Sequence, residues 1–223
     1  MSDLLGIFIC FAYVLVVVAL GEGLRRRRHY DSSFTRKVIH IGVGMMSWLL
    51  PFLFSSPRPF VLACGAFAVF NFLDWRFGFV RAMQSDNLSN LGTVYFPLAA
   101  ALVAVVFWDQ PPLMVAALMP LTWGDGMAPI IGQRYGRHTY RVHDSTRTLE
   151  GSAAFFLAGL AFTWLALWLM PGQPEIAPPA AVLPALVVML VTTIVEAVSI
   201  WGLDNLTVTA AAMVVLGLWP FGP

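Results

Sequence analysis

Asp125 stands between Gly124 and Gly126 in an otherwise apolar run from Leu113 to Ile131. An aspartate near the middle of a helix in lipid costs on the order of 2.5–3.5 kcal/mol to insert, so it usually faces protein, water or an ion. The flanking glycines would let a bulky ligand come close to the backbone. The plainer alternative is a helix-end carboxylate satisfied by water at the interface. Just downstream, the segment 132–152 carries Arg134, Arg137, Arg141 and Arg147 with two histidines, several hydroxyls and the glycines Gly132, Gly136 and Gly151. Planar guanidinium forks suit phosphate oxygens. Thr148 could cap a following helix, whose first amides would also favour an anion. A loop that is basic only to orient the chain would explain the arginines, but not the Thr148-Leu-Glu-Gly-Ser152 ending. No Gly-x-x-x-x-Gly-Lys-Ser/Thr stretch is present, which excludes a P-loop. Gly132 and Gly136 by themselves suggest no more than close helix packing.

Two further groups could join this chemistry. Arg36, Lys37 and His40 open an apolar segment, and if it is helical Arg36 and His40 share a face with Gly44. That face would offer a cation and an imidazole to a polar ligand, or simply hold a hydrogen-bonded histidine beside two orienting charges. Glu196 closes another apolar segment, and Asp204 and Asn205 open the next after Gly202. Carboxylates such as Asp125, Glu150, Glu196 and Asp204 meeting an arginine-rich loop describe a site for Mg²⁺ together with a polyphosphate. Singly, Asp204 or Asn205 could be a helix cap.

Elements able to position these residues follow from the hydropathy. Of 223 residues, 59% are hydrophobic and 11% charged, which excludes an ordinary soluble domain and gives little support to nucleic-acid binding. A crossing needs about 20 apolar residues. Apolar stretches at 4–24, 38–55, 59–73, 94–108, 112–131, 151–170, 179–199 and 205–219 therefore predict an all-α, polytopic integral membrane protein with about eight transmembrane helices, a single domain over 1–223. Twelve of the thirteen Lys and Arg residues fall in alternate loops, leaving only Arg58 opposite. The positive-inside rule makes their side cytoplasmic and puts the N-terminus outside. Arg25–Arg28 follow the first apolar run instead of preceding it, so that run reads as a retained helix, not a cleaved signal. Cys10 and Cys64 lie within spans, with no metal-ligand spacing and no expected disulfide. The third and fifth spans are short, and the fifth is interrupted at Gly124-Asp125-Gly126; broken helices of this kind often line binding sites. The segment 74–90, with Trp75, Phe77, Phe79, Val80 and Met83 among Arg76, Arg81 and Gln84, reads as a helix lying in the interface or as a plain loop.

Taken together, these residues resemble the membrane-embedded dolichol kinase and phytol kinase family, which includes a CTP-dependent diacylglycerol kinase. The likeness rests on Arg36-Lys37-x-x-His40, on Gly92-Thr93-Val94-Tyr95-Phe96-Pro97-Leu98, and on Gly124-Asp125-Gly126-x-Ala128 with Gly132 and Gly136. It continues through Arg147-Thr148-x-Glu150-Gly151-Ser152 and closes with Glu196 and Asp204-Asn205. The resemblance implies an enzyme that phosphorylates a membrane lipid alcohol (a polyprenol, a phytol-like isoprenoid or diacylglycerol), typically with CTP. It implies catalytic roles for Asp125, Glu150, His40, Arg36 and Lys37. Nucleotide contacts would come from Gly124, Gly132, Arg134, Gly136, Arg137, Arg141, Arg147, Thr148, Gly151 and Ser152. Mg²⁺ would be held by Asp125, Glu196, Asp204 and Asn205. His40 or Glu150 would accept the alcohol proton, the tail would stay in the bilayer between helices, and the site would face the cytoplasm. Many members carry Lys where this chain has Arg147, so a proton-transfer role there is in doubt. A CDP-lipid-forming cytidylyltransferase and a small transporter or scaffold are the alternatives from other classes.

Overall fold

In a computed structural model, residues 3–28, 32–79, 91–142, 145–199 and 202–221 are described. Helices α1 (Asp3–Arg28), α2 (Ser32–Gly44), α3 (Leu50–Leu53), α4 (Pro57–Phe77) and α5 (Gly92–Phe107) come first. Then follow α6 (Pro111–Met119), α7 (Asp125–Tyr135), strands β1 (Thr139–Val142) and β2 (Ser145–Thr148), and helices α8 (Leu149–Leu169), α9 (Pro178–Val198) and α10 (Asp204–Leu218). Proline in the first turn starts α4, α6 and α9, where its missing N–H costs nothing. Gly78, at φ 74°, ends α4 in the left-handed region that glycine enters freely.

Among the described residues, five segments are long and apolar enough to cross a membrane: 3–26, 57–77, 111–135, 149–169 and 178–198. Two shorter apolar helices cover 92–107 and 204–218. All eight expected stretches are helical, but their bounds differ from expectation in three places. The second, 38–55, is α2, a 3₁₀ turn at Met45–Leu49 and the short α3, not one helix. The third is a full-length helix, since α4 runs on through Asn71, Asp74 and Trp75 to Phe77. The fifth is not interrupted: α6 passes into α7 through a π-helical turn at Pro120–Gly124. Of the expected interfacial segment 74–90, the part 80–90 lies outside the described residues. Within the 132–152 segment the chain forms an antiparallel hairpin, Thr139 opposite Thr148 and Val142 opposite Ser145.

The packing is built around α6. Every residue from Pro112 to Met119 is buried, as expected of a helix apolar on all sides, and α5, α8 and α10 surround it. The outer helices turn Leu62, Val69, Leu102, Val105, Leu157, Ile194 and Val214 outward, each more than two-fifths exposed. So wide an apolar exterior suits hydrocarbon, not water. The molecule is an all-α membrane protein, with one small hairpin among the described residues.

Candidate active site: a buried ion pair above an apolar slot

The π turn sets the site. In an α-turn the Asp125 amide would bond Leu121 O; here it bonds Pro120 O, five residues back, and His40 Nε2 reaches Leu121 O at 2.8 Å. A carbonyl can only accept, so Nε2 carries the ring proton and Nδ1 is the nitrogen left with a lone pair. Single π turns inside α-helices recur at functional sites. Trp123 fixes this one from outside, stacked on Phe162 of α8 at 3.8 Å between ring centres, with its Nε1 on Met45 Sδ at 3.0 Å.

Helix α2 meets the turn through small residues. A Cβ on Gly44 would collide with Thr122, and one on Gly126 with Ile41. This close approach brings Lys37 Nζ to 2.7 Å from Asp125 Oδ2, with His40 Nε2 3.4 Å from the same oxygen. Both Lys37 and Asp125 side chains are less than 15% exposed. Burial makes either charge costly alone, and the pair compensates it. Of the expected Arg36, Lys37 and His40, Lys37 makes the closest approach to the aspartate and His40 the next. Gly124 and Gly126 leave no room for a ligand, because Phe155 lies 3.0 Å from a Cβ on Gly124 and Ile41 fills the space at Gly126.

A cavity of about 430 Å³ opens beneath this pair, within the range of small-ligand sites. Arg36, Lys37, His40, Asp74, Asp125, Asp204 and Asn205 line one end. From there, three helices carry the walls downward with helical spacing. On α4 they are Asn71, Phe67, Cys64 and Phe60; along α2, its 3₁₀ extension and the start of α3 they are Val43, Ser47 and Leu50; on α1 Val18, Val14 and Cys10. Phe96, Pro97 and Ala100 of α5 close the remaining side. The α2 and α4 ladders are polar at the Asp125 end, through Lys37, His40, Asn71 and Asp74, and apolar at the other, while the α1 ladder carries no charged group. Partway down, the buried hydroxyls of Ser47 and Thr122 make no hydrogen bond among the described residues.

Asn71 and Asp74 were not singled out from the sequence as site residues, although a signal existed. Thr93 O would receive its helical bond from residue 97, but Pro97 has no N–H. Asn71 Nδ2 supplies it at 2.7 Å, tying the polar ends of α4 and α5 together. A buried Asn four residues beyond Phe67 on an apolar helix was the readable mark.

The hairpin forms a second, separate cluster. Thr148 Oγ1 accepts from Gly151 N at 3.0 Å and caps α8 as expected. Gly132 of α7 and Gly136 just past its end press against this threonine so closely that a Cβ on either would strike it. Arg147 is ion-paired with Glu196 and donates from Nη2 to Ser199 O at 2.7 Å, clasping the hairpin to the end of α9. Glu196, expected as a metal ligand, is thus engaged by Arg147. Glu150 accepts from His138 Nδ1 at 2.8 Å and does not line the cavity. Arg134, Arg137 and Arg141 are exposed, Arg134 lying over the Tyr135 ring at 5.5 Å. Tyr140 and Ser152 share a hydrogen bond of 2.7 Å. Asp204 joins the two clusters, within electrostatic reach of Asp125, Lys37 and Arg147. Among the described residues no three His, Cys, Asp or Glu side chains are grouped closely enough to hold a metal ion by themselves.

Fold and site together define a multi-pass membrane protein with ionic groups gathered at one end of an apolar slot. The chain is 30% identical over 199 residues to a phytol kinase of Synechocystis sp., covering 88% of this chain and 83% of that protein. It is 28% identical over 218 residues to a probable chloroplastic phytol kinase of Triticum aestivum, covering 89% and 71%. A probable phytol kinase 2 of Glycine max is 29% identical over 212 residues, covering 92% and 70%. No family model and no solved structure matches. The chain belongs to the phytol kinase family.

Proposed function

We propose that this protein transfers the terminal phosphoryl group of a nucleoside triphosphate, with CTP as the first candidate, to the hydroxyl of a phytol-like isoprenoid alcohol. The observation that carries the reading is the slot: one continuous cavity, ionic at one end and apolar along the rest, the shape complement of a long alcohol. The hydroxyl would lie beside Thr122 and His40, with the tail between α1, α2, α4 and α5. In the reaction the alcohol oxygen attacks the γ-phosphorus, the bond to the β-phosphate oxygen breaks, and the nucleoside diphosphate leaves. The alcohol proton passes to His40 Nδ1, the acceptor that the Leu121 bond leaves on the ring. Glu150, held by His138 outside the cavity, is the weaker candidate. Phosphoryl transfer needs mainly positioning and charge stabilisation. Lys37 and Arg36 at the mouth, with Arg134, Arg137 and Arg141 of the adjoining segment, supply the cations. Arg147 serves chiefly as the clasp on Glu196 and sets the field around Asp204.

The oxygen donors Asp125, Asp204 and Asn205 fit Mg²⁺, a hard cation that is bound by few carboxylates together with phosphate. When bound with the nucleotide, Mg²⁺ would neutralise phosphate charge. Basic residues cluster at this end of the molecule, and the positive-inside rule supports a site that faces the cytoplasm. The test is incubation of purified protein with γ-labelled CTP or ATP against phytol, farnesol, a long polyprenol and diacylglycerol, with products identified by mass spectrometry. A phosphomonoester of the isoprenoid alcohol supports the reading; a CDP-lipid, or no labelled lipid from any of them, overturns it.

A further inference from the structure

The end of the slot remote from Asp125 is closed by side chains that three different elements deliver to one place. These are Cys10 of α1, Leu50 of α3, and Phe60 and Cys64 of α4, none more than 4% exposed. Behind them the buried Phe54 ring stands 6.3 Å from that of Phe60. Along α4 the lining from Phe60 to Asp74 rises about 21 Å at 1.5 Å per residue, about two-thirds of a hydrocarbon core about 30 Å thick. A slot with a polar top and a closed apolar floor measures whatever chain is anchored at the top.

From this geometry we infer that Phe60, Cys64, Leu50 and Cys10 form a chain-length stop that sets which isoprenoid alcohol the protein accepts. The inference rests on the lipid-alcohol reading of the same cavity. A tail that ends at the floor buries all its carbons with none left over. A shorter one leaves apolar wall uncovered, and a longer one has to fold or leave its polar end off the Asp125 site. Substrate size is therefore governed by side-chain volume at the floor, far from the reacting atoms. Residues at the top, which hold the hydroxyl common to every alcohol, have no part in the choice.

The test uses the full-length protein in nanodiscs with farnesol, geranylgeraniol and geranylfarnesol, a series that grows by one isoprene unit. Two quantities are read: kcat/KM for phosphorylation, and retention of each tritiated alcohol without nucleotide. Cys64→Trp raises the floor and is expected to move the farnesol-to-geranylgeraniol ratio at least about tenfold toward the shorter alcohol, the scale of a misfitted methylene or two in a pocket. Phe60→Ala lowers the floor and moves the geranylfarnesol-to-geranylgeraniol ratio in the opposite sense. If Cys64→Trp does not fold, Phe60→Ala alone decides. Folded variants whose two ratios both match the unaltered protein overturn the stop. Retention ratios that shift while the unaltered protein phosphorylates none of the alcohols keep the stop and overturn the kinase reading. Failure to retain any of the three overturns both.

Discussion

The mouth of the slot and the β-hairpin both bring arginine or lysine beside a carboxylate, yet they treat charge differently. At the slot, Lys37 and Asp125 are buried together at a helix crossing made possible by Gly44 and Gly126. At the hairpin, Arg134, Arg137 and Arg141 stand exposed, and only Arg147 is drawn inward to Glu196. A buried pair is fixed in geometry and costly to disturb, whereas exposed arginines are cheap, mobile and salt-sensitive. The first suits a group that must be held in one place; the second suits capture of a soluble, highly charged co-substrate.

Perturbations should separate the two regions. Asp125→Asn keeps the shape and removes the charge that faces Lys37; phosphorylation is expected to fall at least about a hundredfold, each factor of ten being 1.36 kcal/mol of transition-state stabilisation. Turnover at saturating Mg²⁺ and nucleotide checks this, and full activity would remove Asp125 from the site. Arg147→Ala comes next. It strands Glu196 in a pocket where the two side chains are 18% and 10% exposed. Discounted for that partial exposure, the cost is about 2 kcal/mol of stability, visible as a lower Tm, with Arg147→Lys recovering part of it. An Arg147→Ala protein with unchanged Tm and lost activity would mean that the clasp is not structural. Thr148→Ala removes the α8 cap for about 1 kcal/mol; faster amide exchange at Gly151, with little change near Asp125, is the expected pattern. The smallest stability effect belongs to Arg141→Ala, within about 0.5 kcal/mol as for other exposed substitutions. There the expected change is a rise in KM for nucleotide that shrinks as ionic strength increases, and a salt-independent KM would count against phosphate capture by the hairpin.

Much of this was legible in the residues, for identifiable reasons. Hydropathy located the apolar helices among the described residues because crossing length and composition are set by the bilayer itself. Asp125 stood out because a carboxylate in an apolar run is expensive, and Thr148 because a cap hydroxyl ahead of a helix has a local signature. What escaped notice depended on contacts between distant segments. Gly124-Asp125-Gly126 suggested a break, since glycine weakens a helix; tertiary packing by Phe155 and Trp123 keeps the chain helical there as a π turn. Lys37 was expected in the site, but its pairing with Asp125 across 88 residues of sequence, made at the Gly44 crossing, has no local mark. Arg147 and Glu196 were separately assigned to nucleotide and metal because each is chemically suited to that role. Their mutual pairing across 49 residues of sequence has no local mark. The role of Asn71 was readable in principle from Pro97, but only by asking which carbonyl that proline leaves without a donor.

The π turn at Pro120–Gly124 also acts as a phase setting for the chain that follows it. An α-helix advances by about 100° per residue, so the one residue gained in a π turn rotates all of α7 by that angle relative to α6. Asp125 toward Lys37, and Gly132 and Gly136 toward Thr148, share this single offset. Shortening the turn by one residue would re-phase them together. The slot mouth and the hairpin clasp would then come apart in one step, although none of their own side chains had been changed.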